Sequence, residues 1–210
     1  MAIDKKAMFK MTCGLFALFT NDGAKDNACI VNTVLQVTSE PLRFIVCVNK
    51  SNYSCEIIRR TGIMNVSSLD ESSKFELYQR FGFFSGREVD KLAAFDGVAT
   101  SENGLKYLTE QSNAFLSLKV ESETEFETHI LFTCTVTEAQ VLANTQSATY
   151  AYYHANIKPK VASGAAAPEK KIVGWVCKIC NYVYEGAELP SDFTCPICKH
   201  PASDFEPIYG

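Results

Sequence analysis

With 210 residues, 47% of them hydrophobic, the chain is long enough for one sizeable core and a second, smaller unit, so two domains are expected. A formal net charge of -4, with no Lys/Arg stripe interleaved with aromatics, excludes nucleic acid and an anionic membrane surface as main partners. No apolar stretch reaches the length that spans a bilayer.

From the start of the chain, Lys5, Lys6 and Lys10 precede the apolar run Gly14–Phe19 and imitate a secretory leader, but no small-x-small cleavage site follows. The run reads instead as a strand, Gly14–Thr20. Further β-rich runs follow at Ala28–Thr38, Arg43–Asn49, Ile63–Ser67, Ala114–Val120 and His129–Val136, with Asn21-Asp-Gly23 as a hairpin turn. Two helices are predicted between them. One spans Cys55–Arg60, capped by Ser54 and stopped by Gly62; the other opens at Ser72 or Ser73 and runs through Arg80 to Gly82. Many short strands with few helices predict a mainly β barrel or sandwich. The absence of strand–helix alternation and of GxGxxG excludes a doubly wound nucleotide-binding sheet. Glu121–Glu127 alternates acidic residues as an exposed hairpin does, and is assigned solubility only.

Lys158–Lys171, rich in Ala, Pro and Lys, breaks every hydrophobic period and reads as a tether, dividing the chain into 1–157, 158–171 and 172–210. Beyond it, Cys177-Lys-Ile-Cys180 and Cys195-Pro-Ile-Cys198 have the spacing that places four thiolates around one tetrahedral metal. Trp175, Tyr182, Tyr184, Phe193, Phe205 and Tyr209 suffice for an apolar shell but not for a self-sufficient fold, so the metal stands in for a core. Spacing alone leaves iron and zinc open, with zinc the more frequent occupant of such pairs. Cys13, Cys29, Cys47, Cys55 and Cys134 have no ligand spacing and read as small buried hydrophobes. An odd total of 9 cysteines, four of them claimed by the metal, argues against a disulfide scaffold and for a reducing, cytoplasmic compartment. His200 reads as exposed rather than as a ligand. No residue is assigned a catalytic role.

The tail Trp175-Val-Cys-x-x-Cys-x-Tyr-x-Tyr-Glu-Gly186, then Cys195-Pro-x-Cys198 and Asp204-Phe-Glu-Pro207, resembles a rubredoxin throughout, and that resemblance implies one mononuclear iron held by Cys177, Cys180, Cys195 and Cys198. Two departures stand out. Only 14 residues separate Cys180 from Cys195, and Asn181 and Lys199 stand where rubredoxins have the glycine that permits positive φ.

Upstream, Asn27-Ala-x-x-x-Asn-Thr-x-x-Gln-Val-Thr-x-x-Pro41 and Val48-Asn-Lys-x-Asn-Tyr-Ser54 resemble the flavin reductase-like FMN-binding split barrels. Phe81–Lys91, Thr128–Phe132 and Thr149–His154 resemble later segments of that family in the same order. The resemblance implies a split β-barrel with a few peripheral helices, FMN as cofactor and NAD(P)H as donor. It places flavin contacts at Asn27, Ala28, Cys29, Asn32, Thr33, Gln36, Val37, Thr38, Asn49 and Tyr53, and near His129 and His154. For the phosphate, turn N–H groups with a fixed cation point to Lys50, Ser51, Ser54 and the Ser85-Gly86-Arg87 turn, with Lys91 as an addition. The bland alternative for Arg87 and Lys91 is ion pairing with Glu88 and Asp90.

Together the two halves resemble the high-molecular-weight rubredoxins of anaerobes. These imply a relay from NAD(P)H through FMN to the iron centre and on to a redox-protein acceptor, a flavodiiron reductase of oxygen or nitric oxide, carried out by a homodimer. The alternative from another class is a non-enzymatic binding module, with a structural zinc ribbon on a barrel scaffold.

Overall fold

Alternating burial locates the inside of the larger unit. In the strand Leu42–Asn49, Val46 and Val48 are sealed from solvent while their neighbours are only half-buried, the period-2 signature of a strand with one face on a core. In a computed structural model, which describes residue 7 and residues 10–159, 172–180 and 182–209, the chain forms two compact units divided after Pro159. Lys5, Lys6, Asn181 and the tether beyond Pro159 lie outside the described residues.

The first unit carries β1 (Phe16–Asn21), β2 (Asp26–Val31), β3 (Val34–Ser39), β4 (Leu42–Asn49), β5 (Ile63–Leu69), the short hairpin β6 (Val98–Thr100) and β7 (Lys106–Leu108), then β8 (Ser112–Glu125) and β9 (His129–Val141). Seven of these form one sheet in the order β2-β1-β5-β8-β9-β4-β3, antiparallel at every pairing. Its two edges, β2 and β3, are joined by Asn32 and Thr33 alone. Laid flat, the edges of a seven-stranded sheet stand about 29 Å apart, whereas the chain from Val31 to Val34 reaches at most about 11 Å. The sheet therefore curls into a barrel, split along a seam where β2 and β3 meet without a ladder.

The predicted single strand Ala28–Thr38 is thus two strands. Asn32 and Thr33 leave the ladder; the Thr33 carbonyl accepts from the amide of Cys47 and its hydroxyl donates to Asn32 Oδ1. β8 and β9 outrun their predicted ends, passing bulges near Ser117 and Val120.

Two apolar clusters hold this unit. Inside the barrel, Leu18, Val46, Met64, Val66, Leu118, Ile130 and Phe132 pack with Cys55 and Ile58 of α1 (Tyr53–Thr61). On the outer face of β1, Ala17 and Phe19 meet Leu77, Tyr78 and Phe81 of α2 (Phe75–Gly82), with Tyr153 from the C-terminal turn. β1 is consequently buried on both faces, and each large side chain removed from water there contributes roughly 1.5–3 kcal/mol.

Both helices start differently from expectation. Asn52, not Ser54, caps α1 by accepting from the Ser54 amide, while Gly62 ends it at φ 71 with its N–H on the Ile58 carbonyl. α2 begins at Phe75 without a side-chain cap; Ser73 instead binds the Asp70 carbonyl and the Tyr78 hydroxyl. The acidic run is more than a solvated face: Glu121 pairs with Arg43, Glu123 with Arg59, and Glu125 with Lys50.

In the second unit, β10 (Ile172–Cys177), β11 (Val183–Tyr184) and β12 (Phe205–Tyr209) form a small antiparallel sheet with β10 in the middle. Phe193 packs edge-on against Tyr184 and Phe205, and this aromatic cluster leans on the cysteines. Among the described residues no helix is long and apolar enough to cross a membrane.

Candidate functional site

The metal centre follows from where β10 stops. Cys177 ends the strand and the chain turns at once through Cys180; the second turn, Cys195–Cys198, faces it. The Sγ atoms of Cys177 and Cys198 are 3.6 Å apart and those of Cys180 and Cys195 3.5 Å, and all four ligand atoms lie within 4.8 Å of one another. A tetrahedron with metal–sulfur bonds of about 2.3 Å needs sulfurs about 3.8 Å apart, so the four thiols fit one metal. Amides of Tyr182, Ile197, Cys198 and His200 donate to these sulfurs, spreading the negative charge of a thiolate cage. Lys199 adopts φ 60, the conformation normally left to glycine, and its amide closes the turn on the Cys195 carbonyl at 2.9 Å. The second turn therefore forms despite its side chain. His200 is half-buried rather than exposed; its Nδ1 lies 2.9 Å from Asp204 Oδ2, and it stands outside the ligand cluster.

In the barrel, one group of sequence-predicted residues gathers at the N-terminus of α1. Asn27, buried in β2, donates through Nδ2 to Ser54 Oγ at 2.8 Å, while its Oδ1 is buried with no partner. Gly86 lies directly on that oxygen. A Cβ there would stand 1.8 Å from Asn27 Oδ1, so the close approach of the Ser85-Gly86-Arg87 turn requires glycine. Arg87 extends from the turn over the ring of Tyr53, 4.6 Å from its centroid, and donates to Glu56 Oε2 at 2.6 Å. Tyr53 in turn donates to Asp22 Oδ2 at 2.8 Å. The Lys25 and Ala24 amides, together with that hydroxyl, hold the Asp22 carboxyl down at about 2.

Asn49, Lys50 and Ser51 lead into the same helix. Asn49 Oδ1 accepts from both the amide and the hydroxyl of Ser51, and Lys50 Nζ meets Glu125 Oε1 at 2.9 Å. His129 sits opposite Asn49 in the ladder, its Nδ1 2.8 Å from Thr128 Oγ1, and burial lowers its pKa.

Other predicted residues are placed differently. Asn32, Thr33, Gln36, Val37 and Thr38 lie on the seam and the exposed edge strand β3, where Gln36 Nε2 donates to the Thr38 carbonyl and Thr38 Oγ1 to that of Pro41. Ala28 and Cys29 point into the two cores, and burial raises the Cys29 thiol. His154 stands against Tyr150 beside a cavity of about 290 Å³ lined also by Thr12 and Ala151; burial and Lys158 lower its pKa.

Lys91 is corrected on both counts. It is 5% exposed and donates to the Ala28 and Phe81 carbonyls at 2.9 Å each, which ties the loop to β2 and α2 and takes its ammonium away from a surface phosphate and from Asp90 alike. Arg87 pairs with Glu56 rather than Glu88. Sequence reasoning missed Asp22, Asn52 and Glu56. Asp22 had registered only as a turn residue, and no local spacing links it to Tyr53, 31 positions on.

Around the N-terminus of α1 stand the Ser51 hydroxyl, the Ser85-Gly86-Arg87 turn and two cations that each hold a carboxylate, groups whose chemistry suits a ligand carrying hydroxyls and an anion. A flavin mononucleotide has both.

Comparison with known proteins agrees with this division. Residues 8–160 match the flavin reductase like domain family, and residues 175–206 the rubredoxin-like domain of rubrerythrin. The chain is 35% identical, over 98% of its length and 100% of the relative's, to a high molecular weight rubredoxin from Moorella thermoacetica. It is 34% identical to a ferric-chelate reductase (NAD(P)H) from Archaeoglobus fulgidus, over 75% of this chain and 93% of that one. Among solved structures, flavoredoxin from Methanosarcina acetivorans superposes with a TM-score of 0.60 at 24% identity, covering 70% of this chain and 80% of its own.

Proposed function

The chain belongs to the flavin reductase-like family with a rubredoxin-like domain at its C-terminal end, an electron-transfer oxidoreductase, and from that premise we propose that it takes electrons from NAD(P)H and delivers them to an external redox protein. The observation that carries this is the convergence of four sulfurs at metal-binding distance on a chain whose larger domain is a flavin reductase fold. Bound FMN supplies a two-electron acceptor able to release electrons singly, and iron in the thiolate cage supplies a one-electron carrier.

The protein's own part is placement. Asn27 and Ser54 anchor the inner wall of the flavin site, Ser51 and the Ser85-Gly86-Arg87 turn offer donors, and Lys50 and Arg87 supply the charge that a phosphate needs. Asn32, Thr33, Gln36, Val37 and Thr38 line the open seam, where a ring can lie against β3. His129 and His154, both lowered by burial, stay neutral at pH 7 and offer hydrogen bonds rather than charge. Cys177, Cys180, Cys195 and Cys198 would hold the iron, and with their sulfurs already within 4.8 Å of one another a change of its charge would ask little rearrangement of the protein.

The exposed apolar edge at Leu35 (60% exposed), Val37 (47%) and Leu42 (41%) supports a homodimer, because an uncovered edge strand of this kind invites pairing. None of the nine cysteines is in a disulfide, which suits a reducing cytoplasm. A flavodiiron oxygen or nitric oxide reductase is the acceptor that the resemblance to high-molecular-weight rubredoxins supports. The ferric-chelate reductase relative motivates a second reading, in which the barrel alone reduces a small acceptor.

Anaerobic titration with NADH and with NADPH, following flavin and iron absorption together, tests the proposal. Both chromophores should bleach in one titration, and a colourless protein with stoichiometric zinc would sink it. Removing residues 158–210 should abolish delivery to a protein acceptor; full delivery without them supports the second reading.

A further inference from the structure

Neither cation assigned to the phosphate is free. Lys50 Nζ is 2.9 Å from Glu125 Oε1, and Arg87 Nη2 is 2.6 Å from Glu56 Oε2. Both carboxylates are charged at neutral pH, each held below its usual range by the hydrogen bond from its own cation.

In each pair one member has a second contact to fall back on when the pair opens. Glu125 has a second cation, since Arg59 Nη2 lies 3.7 Å from its Oε2 and also binds Glu123 at 2.7 Å. Arg87 is steadied independently by the Tyr53 ring, and that ring by Asp22. Releasing Glu56 therefore leaves the guanidinium in place beside the Ser85-Gly86-Arg87 turn. The Ser85-Gly86-Arg87 turn is itself fixed by its close approach to Asn27, where a Cβ on Gly86 would stand 1.8 Å from Oδ1.

We infer that Glu56 and Glu125 are built-in competitors of the flavin phosphate: the site is an ion exchanger in which the phosphate takes Arg87 and Lys50 from two resident carboxylates. The inference rests on the phosphate reading proposed above. Two carboxylate–cation contacts are given up for phosphate–cation contacts, and each displaced carboxylate remains close enough to repel the incoming dianion. Affinity for FMN is thereby held below what the two cations alone would give. Riboflavin, with no phosphate, opens neither pair and is indifferent to the carboxylates.

The test uses the full-length protein stripped of flavin, with FMN and riboflavin as probes and flavin fluorescence as the readout. Glu56→Gln and Glu125→Gln should each tighten FMN about threefold at low salt, and the double variant about tenfold, while riboflavin changes by less than about twofold. The gain should fade as salt screens these exposed charges. Glu76→Gln, which removes an acid from α2, is the control for overall charge. Unchanged or weaker FMN binding in both single variants overturns the inference, and so does an equal gain from Glu76→Gln. Arg87→Ala tests the underlying reading separately. If that substitution leaves the preference for FMN over riboflavin intact, the phosphate reading itself fails, whatever the glutamate variants do.

Discussion

The barrel and the metal domain fix their structures by different means. The barrel seals Phe19, Phe81, Phe115 and Phe132 from solvent and buries β1 on both faces, whereas among the described residues of the C-terminal unit the buried apolar side chains are Cys177, Cys195 and Phe205. One relies on the summed removal of apolar surface from water, the other on a few coordinate bonds that organise a thin aromatic shell. Damage to the first should be graded; damage to the second should be all or none.

Cys195→Ser is the severest test. A structural metal contributes on the order of 10 kcal/mol to a small domain of this kind, so this variant should lose its iron and the amide protection of residues 172–209 together, while flavin content and barrel melting stay as they were. Partial iron retention with a folded tail would break the contrast. Phe19→Ala comes next. It opens a cavity between β1 and α2 and should cost the barrel about 3–5 kcal/mol, roughly 10 °C in melting temperature for a domain of this size, with the iron spectrum untouched.

The smallest effect belongs to Asp22→Asn. The folded carboxyl titrates at about 2 against an ordinary value of 3.8, so its contribution is complete above 3.8 and is lost as pH falls through about 2. The melting temperatures of wild type and variant should differ at neutral pH and converge towards pH 2; a gap that persists there would show that Asp22 acts through something other than its charge.

The sequence disclosed each region according to how local its signals are. Four cysteines in two short turns announce a metal site because ligand spacing is a local property, and the structure brings their sulfurs together. β1, β4, β5 and the two barrel helices were legible from alternation and end signals, within a few residues at their limits. The break between β2 and β3 was not, because Val31-Asn32-Thr33-Val34 continues a plausible alternation and nothing in it says that Asn32 leaves the ladder. The cap of α1 was misplaced for a similar reason: Asn52 and Ser54 are both good cap residues, and only the buried bond from Asn27 shows that Ser54 is engaged elsewhere. β6 and β7 are three residues each, too short to show a period. The burial of Lys91 was hidden because a lysine reads as surface until two carbonyls from distant elements converge on its ammonium.

The seam at Asn32 and Thr33 has a consequence for how the barrel assembles. Pairings such as Leu18 with Val66 and Val48 with Ile130 join residues far apart in the chain, and each must draw a long loop closed before it gains anything. The seam asks for no such search. It keeps the β1–β2 and β3–β4 hairpins within one short stride of each other from the moment they form, so the ring is completed by covalent connection where every other neighbour relies on a ladder. Along that one line the wall can widen or narrow without breaking a hydrogen-bonded pair of strands, which makes it the cheapest place in the barrel to admit a flat ring.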